Sequence, residues 1–230
     1  PWITSFGPYA RRNPLTSIRS AVETLDLVGD GPPRVRLMGI LKQDVGRLDR
    51  LVTDIANASR LDAELSRDEP RPVDLARLIG DIVNLYAGAT GPGGSGVTVR
   101  ITEPGDAIII AGREGPLGQV FRNLIDNARS FSPPGGEVRV TLTRARGTAE
   151  VVVEDDGPGI PPDNLETVFE RFYTSRPKGT AFGSNSGLGL SIARQIVEAH
   201  GGEIHAENRT DPDGAIVGAR FIVRLPERGG

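Results

Sequence analysis

The sequence predicts an α+β protein: an antiparallel helical hairpin that pairs with a second copy as a four-helix bundle, followed by an α/β sandwich with a mixed sheet. Three observations carry this. Apolar residues recur at intervals of three and four in the first part of the chain, strand-like runs alternate with helical ones in the rest, and a short segment with two prolines and mixed charges divides the parts. The expected boundaries are 1–66 for the hairpin, 67–73 for the linker and 74–230 for the second domain, and 230 residues suffice for two modest cores.

Residues 1–12 have no clear period, and Gly7-Pro8 interrupts a helix unless Pro8 opens one. From Asn13-Pro14 onward, Leu15, Ile18, Val22 and Leu25 mark an amphipathic helix that ends near Gly29-Asp30-Gly31-Pro32-Pro33. Met38, Leu41, Val45, Leu48, Val52 and Ile55 then trace a heptad seam along a second helix. A lone hairpin leaves an apolar face uncovered; pairing of two copies is the economical solution, and packing on its own second domain is the alternative. Asp74 caps a helix over 75–86 whose Leu75, Leu78, Ile79, Ile82 and Val83 share one face. Residues 88–96 form a Gly-rich connection. Strands are expected at 97–101, 107–111, 138–144, 149–154, 203–207 and 219–225, and helices at 115–131 and 188–200, which suits a mixed sheet covered on one face by helices.

Charged residues are 25% of the chain, hydrophobic ones 37%, and the formal net charge is -3, so no basic surface for nucleic acid is expected. The absence of Cys excludes disulfides and thiolate metal sites. No apolar run approaches the roughly 20 residues that cross a bilayer, so the chain as given is expected to be soluble.

The chemistry concentrates between 123 and 190. A short apolar strand, Val151-Val152-Val153, runs into Glu154-Asp155-Asp156-Gly157-Pro158-Gly159-Ile160. An acid at the end of a buried strand can accept a hydrogen bond from an exocyclic amine, and glycines beside it let a flat ring approach bare backbone. Phe169-Glu170-Arg171-Phe172-Tyr173 follows, then Gly187-Leu188-Gly189-Leu190-Ser191 at the start of a helix, where unpaired N–H groups suit anionic oxygens. Asn123 and Asn127, four apart on an otherwise apolar helix, project to one side and can serve a metal carrying phosphate oxygens. Singly, each piece has a plainer reading: Gly-x-Gly as a turn, the Asn pair as a cap or solvated face, the acid as a turn cap. Their order and spacing set them apart.

Together these motifs resemble the N, G1, F and G2 boxes of the ATP-binding domain of sensor histidine kinases, a branch of the fold shared with gyrase B, the Hsp90 chaperone and MutL. The resemblance implies an ATP-binding domain that uses ATP and Mg²⁺, with Asp155 on the adenine amine and Asn127 as metal ligand. It implies nucleotide contacts from Asn123, Gly157, Gly159, Ile160, Phe172, Arg176, Gly187, Leu188, Gly189 and Leu190. The irregular stretch between Ile160 and Gly187 becomes the ATP lid, its start pinned by Phe169 and Phe172, which are equally readable as a plain hydrophobic anchor. Arg129, Arg171, Arg176 and Lys178 are candidate cations for the γ-phosphate, since the position where the family commonly has Lys or Arg is Ser130. Ser184-Asn185-Ser186 stands where the family is richer in Gly.

Asn13-Pro14-Leu15-Thr16-Ser17 and the hairpin resemble the family's dimerisation and phosphoacceptor domain. The family places a His and an acid four and three residues before that Asn; here Tyr9 and Ala10 stand there. A neutral imidazole with a pKa of about 6.5 can attack phosphorus with a carboxylate taking the proton, whereas a phenol titrating at about 10 cannot readily do so. The two histidines, His200 at a helix end and His205 in a strand, lie outside the hairpin. The resemblance implies a two-component sensor histidine kinase: a homodimer, the cytoplasmic part of an inner-membrane protein, passing phosphate to a response-regulator receiver domain docked near residues 13–18. The alternative is an acceptor-less scaffold that binds nucleotide and a regulator without phosphotransfer.

Overall fold

The computed structural model describes residues 14–25, 27–42, 44–46, 48, 52, 69–87, 98–102, 105–145, 147–173 and 187–227. The helices of residues 14–52 belong to one compact unit and the described residues from 69 onward to another. Tyr9, Asn13, Arg176, Lys178, Ser184-Asn185-Ser186 and the first part of the expected linker lie outside the described residues, as does the Gly-rich connection.

In the first unit, α1 (Pro14–Leu25) opens on a proline, whose missing N–H is not needed in a first turn. It ends at Leu25, short of the expected stop near Gly29. A second helical run, residues 32–42 (α2), begins at Pro32, so the two prolines expected to lie in the loop instead form the first turn. The turn is closed by Arg34 N–H and Val35 N–H donating to Gly31 O at 3.1 and 3.2 Å. Leu15, Val22, Val35, Met38, Val45 and Val52 are exposed in the single chain.

The second unit is a five-stranded mixed sheet of order β2-β4-β5-β7-β6. Strand β2 (Thr98–Thr102) runs parallel to β4 (Glu137–Ala145). The pairs β4 with β5 (Thr148–Glu154), β5 with β7 (Ile216–Pro226) and β7 with β6 (Glu203–Thr210) are antiparallel. Alternate residues build the core: Val138, Val140, Leu142, Val151, Val153, Phe221, Val223 and Leu225 are buried. They meet the apolar stripes of α3 (Leu75–Ala87), α4 (Glu114–Phe131) and α5 (Gly189–Ala199), including Ile79, Phe121, Leu124, Ile125 and Ile196.

The outer face of the sheet is charged, with opposite signs in register across strands. Glu154 faces Arg220 and Arg220 faces Glu207, while Arg224 lies between Glu150 and Glu203, bonding them at 2.7 and 2.9 Å. The expected sandwich of a mixed sheet with helices on one face is therefore present.

A strand that periodicity did not suggest, β1 (Arg71–Asp74), pairs antiparallel with β3 (Ile109–Gly112). It occupies the end of the expected linker, and Pro72 disguised it, because a proline can sit in a ladder only where its donor is not required. Asp74 caps α3 as expected, Oδ1 accepting Ala76 N–H at 3.1 Å and Arg77 N–H at 3.3 Å.

His200 caps α5 and fastens it to the start of α4. Its Nδ1–H donates to Ile196 O at 2.7 Å, and its Nε2 accepts Arg113 N–H at 3.1 Å. Both ring nitrogens are thus committed in one neutral tautomer. Burial lowers its pKa below the ordinary imidazole value, against the opposing bond to Ile196 O. With the folded pKa below the unfolded one, this site contributes stability above about pH 6.5 that is lost as pH falls toward the folded value. Thermal melts at pH 7.5 and 5.5 should show a larger acid-induced fall in Tm for the parent chain than for His200→Gln, which has no imidazole to protonate.

Candidate functional site

The site is built where β5 ends. Asp155, the first residue past the strand, is buried. Its N–H donates to Ala219 O at 3.0 Å, and its carboxylate Oδ1 accepts Gly157 N–H at 2.8 Å and Ala219 N–H at 3.1 Å. Among the described residues nothing donates to Oδ2, so one oxygen is fixed by backbone and the other is left for a donor. Burial raises the Asp155 pKa; the two backbone bonds and the nearby Arg209 cation hold it back, and neighbouring Asp156 adds to the rise.

The glycines around it are required by close approach. A Cβ on Gly157 would stand 2.8 Å from Asp155 Oδ1 and 3.0 Å from Phe131 O. Gly159 has φ 75°, and a Cβ there would collide with Ile216 Cγ2. Ile160 is gripped by one side chain: Asn208 Oδ1 accepts Ile160 N–H and Asn208 Nδ2 donates to Ile160 O, both at 2.7 Å.

The other end of the site is the start of α5. Asn123 Nδ2 donates to Gly189 O at 2.9 Å, joining α4 to the first residue of α5. Phe131, at the far end of α4, meets the Gly157 turn. These contacts lie eight residues apart on α4, about 12 Å at 1.5 Å per residue. A flat polar head at Asp155 and an anionic tail at the N–H groups of α5 would span that length.

Gly187 has φ 78°, and Phe172 N–H donates to its carbonyl at 2.9 Å. Leu188 is buried, and Leu190 is half-buried beside it. A Cβ on Gly189 would meet nothing nearer than 3.6 Å, so the fold itself gives no reason for glycine there.

Of the two lid phenylalanines, Phe169 packs edge-on against Phe221, with ring centroids 6.1 Å apart. Phe172 is exposed and has φ 65°, so it does not share that anchoring. Two short 3₁₀ turns, Pro162–Asn164 and Thr167–Phe169, occupy the beginning of the stretch that showed no sequence pattern. Arg194 of α5 covers the Phe169 ring at 4.0 Å and bonds Glu166 at 3.0 Å.

Among the candidate cations, Arg129 lies over the Tyr86 ring at 4.8 Å and 4.0 Å from Asp126, engaged with α3. Ser130 turns back to donate to Asn127 O at 2.8 Å. Arg171 is exposed.

The donor set tests the metal. Among the described residues no group of three His, Cys, Asp or Glu side chains could enclose an ion. An oxygen-loving cation that keeps its waters and rides on phosphates needs only one protein oxygen, and the half-buried amide of Asn127, one turn from Asn123, fits that requirement.

Sequence reasoning missed the support behind the site. Asp156 accepts Arg139 Nη2–H at 2.7 Å, Arg209 Nη1–H at 2.9 Å and Glu137 N–H at 2.9 Å. Burial alone would raise its pKa, but these bonds bring it down to about 2. Asn208, Arg209 and Gly218 belong to no motif; the one available signal was a lone Gly inside a strand pattern, which marks close backbone approach.

Comparison with known proteins agrees with this geometry. Residues 112–229 match the family model described as histidine kinase-, DNA gyrase B-, and HSP90-like ATPase. Sensor protein ChvG of Rhizobium meliloti (strain 1021) is 51% identical over 220 residues, covering 94% of this chain, and the chain spans 38% of that relative's length. A solved mycobacterial sensor histidine kinase, MprB, superposes with TM-score 0.58 at 33% identity, over 70% of this chain and 99% of that one. A third, histidine kinase ThkA in complex with response regulator protein TrrA, shares the fold at TM-score 0.70 and 24% identity, over 94% of this chain and 58% of that one.

Asp155 should cost the folded protein stability when ionised. Its raised folded pKa means its favourable contribution is complete below the unfolded value of about 3.9 and is lost as pH rises through the folded value. Thermal melts should therefore give Asp155→Asn a higher Tm than the parent at pH 7, with the gain fading toward pH 4.

Proposed function

Because this chain belongs to the histidine kinase-, DNA gyrase B-, and HSP90-like ATPase family, we propose that it binds ATP with Mg²⁺ and forms the kinase part of a two-component sensor histidine kinase. The observation that carries the reading is the Asp155 carboxylate: buried, one oxygen fixed by two backbone donors, the other open, with bare glycine backbone beside it. That arrangement suits the adenine amine as donor and excludes a ligand offering only an acceptor. Gly157, Gly159 and Ile160 form the floor under the ring, and the N–H groups of Gly187, Leu188, Gly189 and Leu190 receive the phosphates. Asn127 would hold Mg²⁺, which neutralises phosphate charge when bound. Asn123 sets the start of α5 against α4. Phe172, and Arg176 outside the described residues, would add the remaining nucleotide contacts that the resemblance implies.

The exposed apolar residues at heptad spacing, Met38, Val45 and Val52, support pairing of two hairpins in a homodimeric four-helix bundle. In the complete activity, a bundle histidine attacks the γ-phosphorus, the bond to ADP breaks, and the phosphoryl group then moves to an aspartate of a response-regulator receiver domain docked near residues 13–18. The ThkA complex with its regulator supports that partner class. Membrane anchoring of the full-length protein is part of the same proposal; no helix of the described residues is long and apolar enough to cross a membrane.

On this reading Tyr9 and Ala10 stand at the acceptor and acid positions of the sequence pattern, His200 has both ring nitrogens committed and His205 lies in β6, so the chain would keep nucleotide binding and would not label itself in the ordinary way.

Two outcomes check the proposal. Calorimetry should find magnesium-dependent ATP binding that Asp155→Asn weakens by roughly 10- to 100-fold, the scale of one hydrogen bond to a charged group; equal affinity in parent and variant would remove the assignment of Asp155. Incubation with γ-labelled ATP should leave the parent unlabelled, while Tyr9→His with Ala10→Glu should gain acid-labile, base-stable label. A double variant that binds ATP and stays unlabelled would favour the scaffold.

A further inference from the structure

We infer that Arg209 is a positioning residue for the adenine-reading carboxylate, clamping the backbone of Asp155 from the outer face of the sheet. The inference rests on the nucleotide reading of Asp155 given above and adds a determinant of its base preference.

Asp155 is held on three sides by the backbone of Ala219 and Gly157. Its remaining polar backbone atom, the carbonyl, accepts Arg209 Nη1–H at 2.6 Å. The same Nη1 bonds Asp156 Oδ1 at 2.9 Å, and Arg209 Nε lies 3.5 Å from Glu154 Oε1. One guanidinium thus spans three consecutive residues at the strand end, a fork geometry that lysine cannot reproduce.

Two features of the strands exist to let it reach. The register of β6 against β7 shifts between Arg209 and Thr210, and such bulges re-aim a side chain. Opposite Arg209 stands Gly218, where a Cβ would collide with Asp155 O and lie 3.0 Å from Arg209 Nη1. The passage from the outer face to the carbonyl is open only because Gly218 has no side chain. Arg139, bonded to Asp156 at 2.7 Å, braces the clamp from the β4 side.

With the clamp removed, the Asp155 carbonyl loses its side-chain donor and the turn is held by the Ala219 and Gly157 bonds alone, so the unengaged Oδ2 is less firmly aimed. Binding of the phosphates, which depends on α5, should be untouched. The consequence is a loss specific to the 6-amino group.

The test compares Kd for Mg–ATP with Kd for the triphosphate of purine riboside, which lacks that amine, in the full chain by calorimetry. The parent should prefer ATP. Arg209→Met should weaken ATP by about tenfold and leave the deamino ligand within about twofold, so that the preference collapses. Arg220→Met, which removes a neighbouring arginine of the same face that forms ion pairs with Glu154 and Glu207 and none with Asp155, should keep it. If Arg209→Met melts below the assay temperature, Arg209→Gln, polar but too short to reach the carbonyl, takes its place. A preference retained in the folded Arg209 variant, or lost equally in Arg220→Met, overturns the inference. A parent with no preference overturns the assignment of Asp155 itself.

Discussion

The structure depends on keeping a charge where burial opposes it. A carboxylate past the end of β5 is shielded from water by the helical layer, and an isolated anion there would take up a proton. Two backbone donors, one from the turn that follows and one from the neighbouring strand, favour its ionised form against the burial that raises its pKa, without consuming its second oxygen. The sheet register therefore matters chemically. Glu154 pairs with Arg220, which brings Asp155 alongside Ala219; a slip of one residue would send the carboxylate to the charged face and an arginine toward the core.

That register is specified twice over. On the inner face, Val151 and Val153 meet Val223 and Phe221, so apolar burial selects one alignment. On the outer face, Glu150 and Glu154 meet Arg224 and Arg220, and an alignment displaced by one or two residues would set both carboxylates opposite uncharged residues. Exposed ion pairs contribute little stability individually, at most about 1 kcal/mol. Their value here lies in alignment, and in the lateral support they give Asp156 and the strand end.

Much of this was legible because the chemistry sits on regular elements. The apolar periods of 120–128 and 192–197 gave α4 and α5, and the glycine spacings marked the turn after β5 and the start of α5, where the candidate site is built. Four kinds of feature were not. Strand β1 is four residues long and contains Pro72, so neither alternation nor composition marks it; pairing with β3 is what makes it a strand. The prolines at 32 and 33 read as a stop because proline ends one helix and starts the next with the same residue. The support from Asn208, Arg209 and Gly218 is invisible in one dimension, since it acts on residues some fifty to sixty positions away through a strand pairing. Phe172 matched its motif by identity, yet its positive φ turns it outward, a backbone property that the residue name does not disclose.

The bond from Phe172 N–H to Gly187 O closes a ring in the chain. Because its two ends are knotted to the body at one point, the excursion between them can lengthen or shorten with little penalty, each doubling costing only about 0.6 kcal/mol in closure entropy. Changes in the length of chain between Tyr173 and Gly187 are thereby uncoupled from the rest of the domain: insertions, deletions and replacements there should be tolerated while the clasp holds. The residue least open to exchange is Gly187, where a side chain would strike the Tyr173 carbonyl oxygen at 2.8 Å and pry the buckle apart.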